Sequence, residues 1–183
     1  IVSPNDTDLD AYDLIFAPGV VTLSATQQKC LHESNATIVL GPRTNSKTDE
    51  FSMPRNLAPD FEGLPLQVKN VETLRPSAQI PLADGGNILH WFEQLEGDVT
   101  VLRATIEGAP AIVAKDKLVY CAGWLDDAAL QQFVGELLAE VDVSIDILPE
   151  GLRRRETDQH IIYLNYNAET ITHGQFTIPA AGV

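Results

Sequence analysis

The chain has 183 residues and 44% hydrophobic content, enough for one ordinary domain or for one domain plus a small module. Lys plus Arg number 12 against 26 Asp plus Glu, a net charge of −14, which argues against nucleic acid or an anionic membrane as partner because both need a basic face. No apolar run approaches the roughly 18 residues of a membrane-spanning helix, and no basic stretch leads into an apolar one as in a secretion signal, so the expected location is cytoplasmic.

In chain order, Ile1-Val2 reads as the end of a strand, and without an initiator Met the chain is expected to be a segment of a longer protein. Asp13-Leu-Ile-Phe-Ala-Pro-Gly19, apolar at its centre and stopped by Pro-Gly, reads as a buried parallel strand. Ser24 is an N-cap candidate for a helix through about Glu33, and Thr37-Ile-Val-Leu40 follows at strand-helix-strand spacing. Gly41-Pro42 ends that strand, and the chain turns polar with Arg43, Asn45 and Lys47. Asn56 to Pro81 is Pro-rich and irregular apart from Leu66 to Leu74, whose apolar-polar alternation predicts a strand. Asn87 to Glu96 is ambiguous: Ile88, Trp91, Phe92 and Leu95 match helical spacing in a short run.

Val99 to Ile106 and Ala111-Ile-Val113, separated by Glu107-Gly-Ala-Pro110, predict a hairpin, and Lys117 to Gly123 a further apolar strand. The clearest helix begins at Asp126 or Asp127, with Leu130, Phe133, Val134, Leu137, Leu138 and Val141 forming one stripe. Leu148-Pro-Glu-Gly151 reads as a linker. Leu152 to Glu156, His160 to Asn165 and Gln175 to Ile178 then predict short antiparallel strands. The expected domains are 1–147 and 148–183.

The candidate chemistry is sparse. No Gly-x-Ser-x-Gly elbow, phosphate-binding loop, dinucleotide fingerprint or His-Glu-x-x-His motif is present. His32, His90, His160 and His173 have no partner at ligand spacing, so no metal or other cofactor is expected. Cys30 and Cys121 read as small apolar groups in a helix and a strand. Glu93 and Glu96 share a face only if their segment is helical, and a carboxylate pair of the glycosidase type stays open on count alone. Arg153-Arg-Arg155 reads as an ion-pairing cluster, with an anion site as the alternative. Loops at the C-terminal ends of parallel strands are common ligand positions, which makes the turn after Leu40 the first place to look.

Asp13 to Gly41 resembles the class I glutamine amidotransferase-like fold, in which the strand after the helix delivers a Cys nucleophile on a tight turn. Here that turn is Gly41-Pro42-Arg43, with no Cys, Ser or Thr and with Pro42 lacking a backbone donor. The fold expectation carries over and the amidotransferase chemistry does not. The expected class is α/β: a flavodoxin-like or amidotransferase-like, mostly parallel sheet with flanking helices, followed by a small antiparallel β segment.

A wider resemblance is to glycoside hydrolase family 42, the β-galactosidases related to those of thermophilic bacteria. It rests on Leu9 to Gly19, Gly41-Pro-Arg-Thr-Asn-Ser-Lys-Thr48, Val71-Glu-Thr-Leu-Arg-Pro76, Gly108 to Val113, Tyr120-Cys-Ala-Gly123, Leu148 to Arg155 and Tyr163-Leu-Asn-Tyr166, met in that order. The resemblance implies an amidotransferase-like trimerisation domain, missing its first strand and helix, plus the start of a C-terminal β domain. In the family the catalytic (β/α)8 barrel precedes these parts and carries both catalytic Glu residues of a retaining mechanism. It further implies a homotrimeric parent enzyme whose β-galactoside is bound mainly by the barrel, and a segment inactive by itself with no catalytic residue. Arg43, Asn45, Lys47 and Glu50 are then expected at a subunit contact or pocket rim. Two other readings stay open: a free-standing, catalytically dead amidotransferase-like binding or scaffold domain, and an enzyme using an unrecognised carboxylate pair.

Overall fold

A computed structural model of the chain describes residues 8–181. Ile1-Val2, expected as a strand, lies outside the described residues. Strand β1 (Leu14–Ala17), helix α1 (Ala25–Glu33) and strand β2 (Thr37–Leu40) form a parallel unit, with Leu14 to Ala17 in register with Thr37 to Leu40. Helix α1 starts where a capping residue stands. Ser24 Oγ accepts the Gln27 N–H, and Gln27 Oε1 accepts the Ser24 N–H in return. Next come β3 (Leu66–Thr73), β4 (Gln79–Pro81), β5 (Asn87–Gly97), β6 (Thr100–Ala104), β7 (Pro110–Lys115), β8 (Leu118–Cys121), β9 (Gly123–Leu125) and helix α2 (Asp127–Glu140).

The first sheet has the order β1-β2-β8-β7-β6. Its first three strands are parallel, and β7 and β6 run antiparallel. The second sheet runs β3-β5-β4, with β9 also paired to β5, and all its pairings are antiparallel. Everything from Gly41 to Lys117 is inserted between the parallel neighbours β2 and β8, and this insertion carries β3, β4 and β5 of the second sheet together with β6 and β7 of the first.

This corrects the expected fold class. Two helices are present among the described residues, and the sheets are mixed and antiparallel, so a flavodoxin-like or amidotransferase-like parallel sheet with flanking helices does not describe the molecule. The reason lies in the connections. A parallel step needs a long crossover, whereas tight turns join antiparallel neighbours. Thr105 to Ala109 between β6 and β7, and Asp116-Lys117 between β7 and β8, are short turns, Asp116 adopting φ 50° and Gly108 φ 89°.

The segment left ambiguous, Asn87 to Glu96, is the longest strand. Its helical spacing reflects a β-bulge at His90, φ 59°, where the register against β9 shifts between Leu89 and Phe92. The strand read from Asp13 to Gly19 is parallel as expected but sits at the edge of the described sheet, leaving Phe16 43% exposed.

Alternation along the central strands builds two cores. Ile38, Leu40, Leu118 and Tyr120 face one side, with Leu31 of α1, Phe61 and Leu64. Val39, Val119 and Cys121 face the other, against Phe133 and Leu137 of α2. Ile88, Phe92 and Ala111 form a third cluster with Ala129. Helix α2 is capped by Asp126, whose Oδ1 accepts the Ala129 N–H at 2.9 Å and whose Oδ2 accepts from Asn87 Nδ2, bonds that hold its carboxyl below the usual range.

The chain divides into two compact units, one ending at Val143 and one beginning at Ser144. The second consists of two hairpins, β10 (Leu152–Glu156) with β11 (Ile161–Asn165), and β12 (Ile171–His173) with β13 (Phe176–Ile178). Tyr163 packs on Phe176 with ring centroids 5.5 Å apart, and His173 Nε2 lies 3.0 Å from Asp146 Oδ1. Within the predicted basic cluster, Arg154 bonds Glu156 at 2.6 Å and Arg153 donates to the Leu152 carbonyl.

Candidate functional site

The turn Gly41-Pro42-Arg43 leaves the C-terminal end of β2 and crosses close to the end of β1. A Cβ on Gly41 would stand 3.0 Å from Pro18 Cα, so only glycine allows this approach without movement. Thr44 closes the turn, its Oγ1 donating to the Gly41 carbonyl at 2.7 Å. Arg43 adopts φ 66°, a left-handed conformation that a side-chain-bearing residue takes only when its surroundings impose it.

Those surroundings centre on Glu93. Its carboxylate is 2% exposed and accepts three hydrogen bonds: from the Arg43 N–H at 2.9 Å, from Trp91 Nε1 at 3.0 Å, and from the Tyr120 hydroxyl at 2.6 Å. The Arg43 guanidinium carbon sits 5.5 Å from the centroid of the Trp91 ring. One buried acid thus joins β5, β8 and the turn after β2. Burial first, and the Glu93 charge second, keep the Tyr120 phenol protonated well above its ordinary range. Burial likewise pushes the neighbouring Cys121 thiol up to about 11, and its Sγ–H donates to the Gly123 carbonyl.

Beside this network opens a cleft of about 440 Å³ at the C-terminal ends of β1, β2 and β8, where α/β sheets commonly take ligands. Its walls include Phe16, Pro18, Leu40, Trp124, Leu130 and Phe133, and Arg43 is the one charged residue among the described residues lining it.

The four residues expected at a contact or rim are placed differently from one another. Arg43 is exposed at the cleft. Asn45 is 6% exposed and held inside the loop: its Oδ1 accepts the Leu23 N–H and its Nδ2 donates to the Asp60 carbonyl. Lys47 is half-buried, with its backbone N–H on the Val21 carbonyl, and Glu50 is exposed in a following turn. Glu93 and Glu96, weighed as a pair, are three residues apart on a strand, so one points in and the other out. Glu96 Oε2 lies 3.4 Å from Lys69 Nζ on the surface.

Sequence reasoning missed Glu93, Trp91 and Tyr120 as one network. The available signal was an acid next to Phe92 in an apolar run, but without the strand assignment its direction was undetermined. Among the described residues no group of His, Cys, Asp or Glu is arranged to hold a metal ion, and no helix is long and apolar enough to cross a membrane.

The chain is 29% identical over 176 residues to the β-galactosidase BgaA of a Thermus species, covering 93% of this chain and 27% of that protein. It is 27% identical over the same length to a β-galactosidase of Thermus thermophilus. It thus spans about a quarter of the length of these relatives. The solved β-galactosidase from the psychrophile Marinomonas ef1 superposes with a TM-score of 0.85 at 29% identity, over 94% of this chain and 27% of that one. The β-galactosidase from Rahnella sp. R3 shares the fold at a TM-score of 0.82 and 19% identity, over 98% of this chain and 32% of its own. The family model described as the β-galactosidase trimerisation domain matches residues 1–144, and the chain belongs to that family, which occurs in glycoside hydrolase family 42 enzymes.

Proposed function

We propose that this chain is the non-catalytic assembly region of a retaining β-galactosidase, a part that holds subunits together while another part of the parent protein hydrolyses the galactoside. The observation that carries this reading is the trimerisation-domain match over residues 1–144. The chemistry of the described site agrees with it. All three donors around Glu93 are engaged, and an acid used that way fastens elements rather than transferring protons. The cleft beside Glu93 is walled mostly by apolar groups, which offer a sugar few partners for its hydroxyls.

The purified chain is expected to release no chromophore from a nitrophenyl β-galactoside above a mock preparation, and turnover would overturn the proposal. Arg43 and Lys47 are proposed at a subunit contact or pocket rim, with Glu50 beside them. In the parent enzyme, alanine at both cations is expected to weaken the oligomer in sedimentation velocity or to raise KM. No change in either would make the loop purely structural.

A further inference from the structure

We propose that the cleft at the ends of β1, β2 and β8 binds a small organic anion: an apolar body seated against Phe16, Trp124, Leu130 and Phe133, with one carboxylate on the Arg43 guanidinium. At about 440 Å³ the cleft falls within the range of ordinary small-molecule sites, and apolar lining with one convergent polar group is how such sites combine affinity with orientation. Phe16, Trp124 and Leu130 are 43%, 53% and 46% exposed, so apolar surface is left for a ligand to cover.

The polar anchor is specific. Arg43 makes no ion pair among the described residues, whereas Arg103 engages Asp84 and Glu136, and Arg154 engages Glu156. The place of Arg43 is set beforehand: the backbone N–H is held by Glu93, φ is 66°, and the guanidinium stacks over Trp91. A planar cation fixed in this way binds a carboxylate with little ordering left to do. Cys121, also in the wall, keeps its proton at neutral pH and adds no competing negative charge.

The chain has two tryptophans, and both report on this place: Trp124 lines the cleft and Trp91 lies under Arg43. Titration of the full 183-residue chain with 4-phenylbutanoate is expected to give a saturable fluorescence change, with the neutral 4-phenylbutanamide binding about tenfold more weakly and galactose producing none. Arg43→Gln is expected to weaken the acid about tenfold and leave the amide unchanged, and Leu130→Glu to weaken both. If Arg43→Gln unfolds the chain, as read by circular dichroism, Arg43→Lys keeps a cation and is expected to retain a preference for acid over amide. Equal binding of acid and amide, insensitivity to both Arg43 changes, or no saturation up to about 10 mM would each overturn the proposal.

Discussion

Glu93→Ala is expected to lower the unfolding free energy by about 3–5 kcal/mol, a large share of the roughly 5–15 kcal/mol of an ordinary domain. Two effects add. Removing the side chain leaves a void at a site 2% exposed. It also strips three donors of their acceptor, and the worst placed is the Tyr120 hydroxyl, since Tyr120 is fully buried and has no route to water. Glu93→Gln should cost less, about 1–3 kcal/mol, because the shape is kept while the amide nitrogen must face one of three donors. Urea unfolding followed by tryptophan fluorescence measures both, and Tyr120→Phe completes a double-mutant cycle. Positive coupling between positions 93 and 120 is expected, and additive losses would show that the 2.6 Å contact contributes nothing to stability. A native-state change in Trp91 emission should accompany Glu93→Ala, because that ring loses its acceptor.

Stability is also expected to fall by about 2–3 kcal/mol as pH rises from 9 to 11, through Cys121 alone. The folded thiol titrates near 11 and the unfolded one near its ordinary 9.0, so between those values the folded state holds more protons. Stability must then decrease with rising pH: the contribution is complete below about 9 and gone above about 11. Tyr120, shifted upward more strongly, acts in the same direction from pH 10, its ordinary value. The check is the urea midpoint at pH 8, 9, 10 and 11 for the natural chain and for Cys121→Ala. The variant starts from a lower baseline, and its slope between pH 9 and 10 should be visibly flatter. Parallel slopes would mean that the thiol is not desolvated in the folded chain. The same burial predicts slow alkylation of Cys121 at pH 8, with the half-buried Cys30 reacting first.

Arg103 illustrates a different balance. The side chain is 5% exposed and reaches two surface carboxylates, Nη2 to Glu136 and Nη1 to Asp84, each at 2.6 Å. The Nη1 contact is an ion pair without a well-aligned hydrogen bond, and among the described residues that nitrogen is the one buried side-chain polar atom left so. Because Asp84 and Glu136 keep access to water, loss of Arg103 strands no buried charge. Position 103 is therefore more tolerant than position 93.

Local chemistry in the sequence was enough to find several elements. Ser24 marked the start of α1, and Asp126 ahead of an apolar stripe the start of α2, because caps and helical periodicity act within a few residues. Alternation located β3, and Glu107-Gly-Ala-Pro110 located the β6-β7 hairpin. The ordered wording of Gly41 to Thr48 and the segments after it pointed to the enzyme family, and the match over residues 1–144 shows membership.

What tertiary structure decided was partnership. A run such as Asn87 to Gly97 fits helical spacing and strand length alike until a bulge at His90 is seen against β9. Whether β7 and β6 continue a parallel sheet or fold back depends on which edge is free, which no short window of sequence contains. The loop after Leu40 shows the same division. Its glycine, proline and polar residues marked a strand end, but the role of each side chain depended on residues 15 to 50 positions away. Asn45 turned inward to Leu23 and Asp60, while Arg43 was held outward by Glu93 and Trp91. Hydrogen-bonding capacity is a property of the sequence, and where it is used depends on which partners the fold brings within 3 Å.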